Sequence, residues 1–188
     1  MQNITGVILA GGRSSRFGSN KALAEVDGKP LIQHVVAKMA GLFAECLLVT
    51  NTPEEYRFLS LPMTGDRYRE SGPLAGIHAA LLQIKTESAF VVACDMPNLS
   101  PDLIRYICSI NGQEYDVIIP WLESGQEPLF GLYRKTSLAT IDSCLQQKDC
   151  QIIKALDDLR VRRVRETEIL SIAGDLSCFR NINRPEDL

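Results

Sequence analysis

The feature that most limits what this chain can fold into is the alternation of two hydrophobic periods along its length. Thr5 to Leu9, Cys46 to Thr50, Phe90 to Cys94 and Asp116 to Pro120 are near-continuous aliphatic and β-branched runs, the pattern of strands covered by helices on both faces. Pro128 to Tyr133 and Val161 to Val164 are weaker strand candidates. Between these runs the apolar spacing becomes helical. Pro30 can open a helix whose Leu31, Val35 and Met39 form one stripe, with Gly41 as its end. Ser71-Gly72-Pro73 opens a second, carrying Leu74, Ile77, Leu81 and Ile84 as far as Thr86. Pro101 starts a third, and Thr136 or Ser137 can cap a fourth that carries Leu138, Ile141 and Leu145. Strands alternating with helices predict an α/β fold, a three-layer α/β/α sandwich around a mostly parallel, Rossmann-like sheet.

With 188 residues, 45% of them hydrophobic, the chain can bury a core unaided, and one domain over residues 1–188 is expected because no repeat, low-complexity tract or linker interrupts it. The 20 Lys and Arg against 23 Asp and Glu give a formal net charge of -3. Such a balance supplies no global attraction to nucleic acid or to an anionic membrane, so neither is an expected partner and an anionic ligand needs a local cluster. The six cysteines have no C-x-x-C spacing and no partner histidines, which argues against zinc. Most lie in apolar stretches and read as reduced residues of the core. The first residues lack a basic leader pattern and no stretch is apolar enough to span a bilayer, so a cytoplasmic protein is expected.

The first strand runs directly into Leu9-Ala10-Gly11-Gly12-Arg13-Ser14-Ser15-Arg16-Phe17-Gly18-Ser19-Asn20-Lys21, a polar loop with three glycines and three cations. Open α/β sheets bind their ligands at such strand ends. Glycines let backbone N–H groups reach phosphate oxygens, and Arg13, Arg16 and Lys21 supply charge against a polyphosphate. An ordinary solvated loop has a similar composition. The spacing is neither Gly-x-x-x-x-Gly-Lys-Ser/Thr nor Gly-x-Gly-x-x-Gly, so both the P-loop and the dinucleotide fingerprint lose ground. A second candidate is Asp95, which follows Phe90 to Cys94 and precedes Met96-Pro97. There it can cap a turn, or hold magnesium against a phosphate, since Mg²⁺ takes few protein ligands.

Taken whole, Leu-Ala-Gly-Gly-x-Ser-x-Arg-Phe-Gly-x-Asn-Lys resembles the signature of the sugar-nucleotide and cofactor nucleotidyltransferases, and its short Arg-Phe-Gly form is similar to the molybdopterin branch. Gly72-Pro73-Leu74-Ala75-Gly76, Asp95-Met96-Pro97, Glu127-Pro128-Leu129-Phe130 and Asn181-Ile182-Asn183-Arg184-Pro185-Glu186-Asp187 resemble landmarks of the molybdenum cofactor guanylyltransferases, in order over essentially the whole chain. The Asn-Ile-Asn ending is like the guanylyl branch, whereas cytidylyl relatives tend to carry Asp-Ile-Asp. The chain departs from the signature at Asn20, where the family usually has Asp; this bears on a charge contact at position 20 and leaves Lys21 in place.

The resemblance implies the nucleotide-diphospho-sugar transferase form of the fold and transfer of GMP from GTP to the terminal phosphate of molybdopterin or its molybdenum-loaded form, with pyrophosphate released. Cytidylyl transfer, transfer to a sugar phosphate, and a non-catalytic nucleotide sensor are the alternatives. Leu9, Ala10, Gly11, Lys21, Asn51, Asp66 and Asp95 are then nucleotide contacts, and the loop adds Gly12 and Arg13. Asp95 would hold Mg²⁺, and Lys21, Asp95 and Arg16 would be catalytic. Other proteins of the molybdenum cofactor pathway are implied as partners. Guanine presents N–H donors that a carboxylate such as Asp66 can accept, although Thr64-Gly65-Asp66 also reads as a plain turn.

Three features are not assigned to the site. Arg160-Val-Arg-Arg-Val-Arg165 could form an anion patch, but such a run more often makes one solvated strand face. His34 and His78 fall in helical stretches with no nearby nucleophile or metal partner and read as surface or core residues. Trp121 and Tyr133 could stack on a pterin, although aromatic residues after strands are usually core.

Overall fold

The first apolar run becomes an interior strand of one mixed sheet in the computed structural model, which describes residues 3–11, 20–68, 71–110 and 114–182. In chain order, β1 is Ile4–Leu9, β2 Glu25–Val26, β3 Lys29–Pro30, β4 Cys46–Val49, β5 Met63–Thr64, β6 Ser88–Ala93, β7 Val117–Leu122, β8 Gly125–Gln126, β9 Phe130–Arg134 and β10 Val161–Arg165. The helices are α1 Leu31–Ala40, α2 Gly72–Gln83, α3 Pro101–Ser109, α4 Leu138–Gln146, α5 Ile152–Asp157 and α6 Glu166–Ala173. The main sheet has the order β10-β7-β9-β6-β1-β4-β5, with β8 paired to β7, and β2 and β3 form a separate hairpin.

Parallel pairing joins β1 to β4 and β6, β4 to β5, and β7 to β10. Strand β9 is antiparallel to both of its neighbours, β6 and β7. The reason is chain length. Only residues 123–129 separate β7 from β9, and a parallel return needs a crossover of about a dozen residues or more. Gly131 allows the close fit of β9 on β7, because a Cβ there would lie 2.6 Å from Ile119 Cγ2 and 2.7 Å from the Ile118 carbonyl oxygen.

Both faces of the sheet are covered, which is why its strands carry apolar residues at consecutive positions. Ile8, Phe90, Val92, Ile118 and Phe130 point to one layer, where α1, α3 and α6 contribute Ile32, Val35, Met39, Leu103, Ile107 and Ile169. Val7, Leu9, Val91, Val117 and Ile119 point to the other, built from α2, α4 and α5 with Leu74, Ile77, Leu81, Ile141, Leu145 and Leu156. The α/β/α sandwich is therefore as the periodicity predicts.

The boundaries differ in detail. Pro30 is extended, pairs with Glu25 in the hairpin and leaves Leu31 as the first helical residue. Helix α2 stops at Gln83, where Ile84 turns extended to bury its side chain. Ser137 precedes α4 without capping it: its hydroxyl donates to the Arg134 carbonyl, and that of Thr136 donates to Asp116. Helices α5 and α6 and the two-residue β5 have no clear periodic signal, being too short to show one. Among the described residues no helix is long and apolar enough to cross a membrane.

All six cysteines are free thiols. Burial pushes Cys46 up to about 11 and Cys94 up to about 12, which keeps both protonated and unreactive.

Candidate active site

After β1 the chain crosses to β4 on one side and later returns to β6 on the other. The carboxyl ends of β1 and β6 therefore flank a topological switch point, where connections diverge and a crevice opens. Hydrogen bonds fix the backbone up to this edge. Ala10 N donates to the Val49 carbonyl at 2.9 Å, and Cys94 N donates to the Leu9 carbonyl at 3.1 Å. Leu9 and Ala10 are buried, and Gly11 emerges exposed directly after them. Gly12, Arg13 and Arg16 lie outside the described residues.

The chain is described again at Asn20, whose side-chain oxygen accepts from Ala22 N at 3.1 Å and caps the short 3-10 turn Lys21–Leu23. That turn delivers Lys21 to the end of β6. Its Nζ donates to Asp95 Oδ2 at 2.7 Å, and both side chains are largely buried. Oδ1 of Asp95 is buried without a hydrogen-bond partner among the described residues. One carboxylate oxygen is thus held by the lysine and the other remains available to a ligand. An Asp that served only to cap the turn would use its oxygens on backbone N–H groups.

At the end of β4, Asn51 reaches the segment after β5. Its Nδ2 donates to Asp66 Oδ2 at 2.8 Å and its Oδ1 accepts from Asp66 N at 3.1 Å. Gly65 is required for this approach, since a Cβ there would lie 2.9 Å from Asn51 Oδ1. The amide orients the carboxylate and leaves Asp66 Oδ1 buried and, among the described residues, unpartnered. Of the residues expected to form the site, the structure brings Lys21 to Asp95 and Asn51 to Asp66, both at the carboxyl edge beside Leu9, Ala10 and Gly11.

Asp95 also lines a cavity of about 210 Å³ together with Met96, Glu127, Pro128, Ile152 and Asn181. The Ile182 N–H donates to the Asp95 carbonyl at 3.1 Å and so docks the C-terminal segment on this edge. Burial raises the Glu127 carboxyl above its ordinary value, and Asn181 Oδ1 has no partner among the described residues. Sequence reasoning marked Glu127 and Asn181 as family landmarks without giving them a place. Their signal was sequence similarity alone, because they are far apart in the chain. Asn183 lies outside the described residues.

The remaining candidates are structural. Arg160 donates from Nε and a terminal nitrogen to Asp116, and Arg162 pairs with Glu168 at 2.6 Å, so these cations are used within the fold and make no anion patch. His78 is buried with Nε2 3.1 Å from Asp142. Tyr133 is buried as expected, whereas Trp121 is half exposed, with the Arg163 guanidinium 4.8 Å above its ring. Among the described residues no three His, Cys, Asp or Glu side chains come together as a metal-binding group.

The arrangement, a glycine strand end, a lysine on a carboxylate and a second oriented carboxylate, suits a nucleoside triphosphate. Comparison with known proteins agrees. The MobA-like NTP transferase domain matches residues 6–162. A probable molybdenum cofactor guanylyltransferase of Pelotomaculum thermopropionicum is 38% identical, covering 100% of this chain and 91% of its own. A molybdenum cofactor guanylyltransferase of Desulfosudis oleivorans is 36% identical, over 100% of this chain and 94% of its own. Among solved structures, the molybdopterin-guanine dinucleotide biosynthesis protein A of Archaeoglobus fulgidus superimposes with a TM-score of 0.85 at 26% identity, covering 97% of this chain and 94% of that one. By sequence, fold and the geometry of this edge, the chain belongs to the MobA-like NTP transferases, among the molybdenum cofactor guanylyltransferases.

Proposed function

We propose that this chain, acting as one nucleotidyltransferase domain in the cytoplasm, transfers GMP from GTP to the terminal phosphate of molybdopterin or its molybdenum-loaded form. A phosphate oxygen of the acceptor attacks the α-phosphorus of GTP, the bond to the β-phosphate oxygen breaks, and pyrophosphate leaves with its electron pair. The attacking oxygen is already anionic, so no general base is needed. What the reaction requires is relief of repulsion, since two unit charges about 4 Å apart repel by about 4 kcal/mol at an effective dielectric of 20.

The observation that carries this reading is the Lys21–Asp95 contact at the β1/β6 switch point. Lys21 supplies positive charge where the α-phosphoryl group would lie, held there by Asp95 before substrate arrives. Arg13 and Arg16 belong to the same loop and are assigned to the triphosphate. Asp66, oriented by Asn51, accepts N–H donors of guanine, while Leu9, Ala10, Gly11 and Gly12 are assigned to the nucleotide. The cavity beside Asp95, with Glu127 and Asn181, is the acceptor side.

The donor set at Asp95 fits Mg²⁺. Its Oδ1 is a carboxylate oxygen without a hydrogen bond among the described residues, and a single carboxylate completed by substrate phosphates and water is a normal magnesium site. Bound there, the ion would neutralise charge on the triphosphate oxygens. The test is pyrophosphate release measured with each of the four NTPs, with and without molybdopterin, with and without molybdate. Release that requires both GTP and molybdopterin is expected. Release with CTP in its place would move the chain to cytidylyl transfer, and no release with any pair would leave a nucleotide-binding module.

A further inference from the structure

Asn20 makes more contacts than a turn cap needs. Besides accepting from Ala22 N, its Oδ1 accepts from the Tyr56 hydroxyl at 3.2 Å. Its Nδ2 donates to the Tyr56 oxygen at 2.9 Å and to Glu55 Oε2. Glu55 is held in turn, because Thr52 Oγ1 donates to the same Oε2 at 3.0 Å. Tyr56 is buried at the base of this group. Glu55 and Tyr56 lie in the 3-10 stretch Pro53–Leu59, which follows Asn51 at the end of β4. One amide thus fastens the residue before Lys21 to the segment after Asn51, and so connects the phosphate side of the crevice to the base side.

Resting on the reading of Lys21 and Asp95 given above, we infer that Asn20 is a positioning residue for Lys21, and that its neutral amide is required because its partner across the crevice is the Glu55 carboxylate. An amide offers Glu55 an N–H donor. A carboxylate at position 20 would offer a second negative charge and no donor, and the two like charges would push the Lys21 turn away from Pro53–Leu59. Capping alone does not demand an amide, since Asp caps a helical turn as well as Asn does. The pairing therefore distinguishes two roles that would otherwise look alike.

The experiment compares Asn20→Asp, Glu55→Gln and the double variant with the intact chain, using kcat and KM for GTP and the melting temperature of each. Asn20→Asp is expected to lower kcat about tenfold or more, corresponding to about 1.4 kcal/mol at the transition state. Glu55→Gln alone keeps an acceptor for the Asn20 amide and should stay within about threefold of the intact chain. The double variant, in which the Gln amide donates to the new carboxylate, should recover to within about threefold as well. An Asn20→Asp chain with unchanged kcat would leave only a cap. A double variant as impaired as the single one would also overturn the inference, whether or not the single variant folds. Lys21→Ala separates this from the underlying reading: if that variant retains full turnover the reading of Lys21 fails, and if it is inactive while Asn20→Asp is not, only the Asn20 inference fails.

Discussion

Lys21 Nζ stands 2.7 Å from Asp95 Oδ2 although 74 positions separate the two residues in the chain. One carboxylate oxygen holds the lysine in place and the other is left without a partner among the described residues. The pair joins the end of the glycine loop to the end of β6. Removing either member therefore changes two things at once, the local charge and the geometry of its neighbour.

For Asp95→Asn, an acceptor for Lys21 remains but the charge is gone. The variant should stay folded, losing about 1 kcal/mol, seen as a melting point lower by about 2–4 °C. Turnover should fall by about a hundredfold or more, the scale of losing one electrostatic contact to a reacting phosphate. Partial recovery in a magnesium series is expected, because weakened metal binding responds to mass action. Full turnover at low Mg²⁺ would sink the metal assignment.

Lys21→Ala should act mainly on kcat, with a loss of about 10²–10³-fold, if the lysine meets charge that builds up on the transferring phosphate, as proposed. Steady-state kinetics with GTP as the varied substrate check this. An effect confined to KM would make Lys21 a binding residue only.

Asp66→Asn should weaken discrimination between GTP and ATP. On the proposed reading the carboxylate accepts from guanine N–H groups, and an amide in its place would present a donor where an acceptor is needed. Calorimetric titration with both nucleotides should show GTP affinity falling about tenfold or more while ATP binding stays constant, as when a buried polar group loses its partner. Equal losses for both nucleotides would reduce Asp66 to a turn residue.

Asp116 provides a test of the fold that leaves the site untouched. Hydrogen bonds from the Arg160 side chain hold its carboxyl well below its ordinary value of 3.8, and those from Thr136 and the Arg160 backbone act in the same direction against the cost of burial. A carboxylate whose folded value is depressed stabilises the fold above the unfolded value and loses that contribution as pH falls toward the folded one. The melting-point difference between the intact chain and Asp116→Asn should thus be full above about pH 5, shrink progressively below about pH 4 and be smallest in strong acid. A difference constant over that range would mean that the charge contributes nothing.

Sequence alone determined the layers. Helical spacing at Leu31, Val35 and Met39 and the unbroken runs around Val7, Leu48 and Val92 required helices over both faces of a sheet, because burial on one face fixes a period and burial on both removes it. It also marked Gly11, Lys21 and Asp95, since strand-end glycines, a lysine and a carboxylate announce themselves locally. Tertiary structure decided the rest. Arg160 and Arg162 look like free charge in the sequence and become internal ion pairs only when Asp116 and Glu168 arrive beside them. The orientation of Asp66 depends on the Asn51 amide 15 positions away, and Glu127 and Asn181 line one cavity only because the segment after α6 returns to the Asp95 carbonyl. Asn20 reads as a departure from a signature until Glu55, 35 positions on, gives the amide a reason. Periodicity records what a residue does for its own element, whereas a hydrogen bond between distant side chains leaves no period behind, so the core was legible in the sequence and the site's partnerships were not.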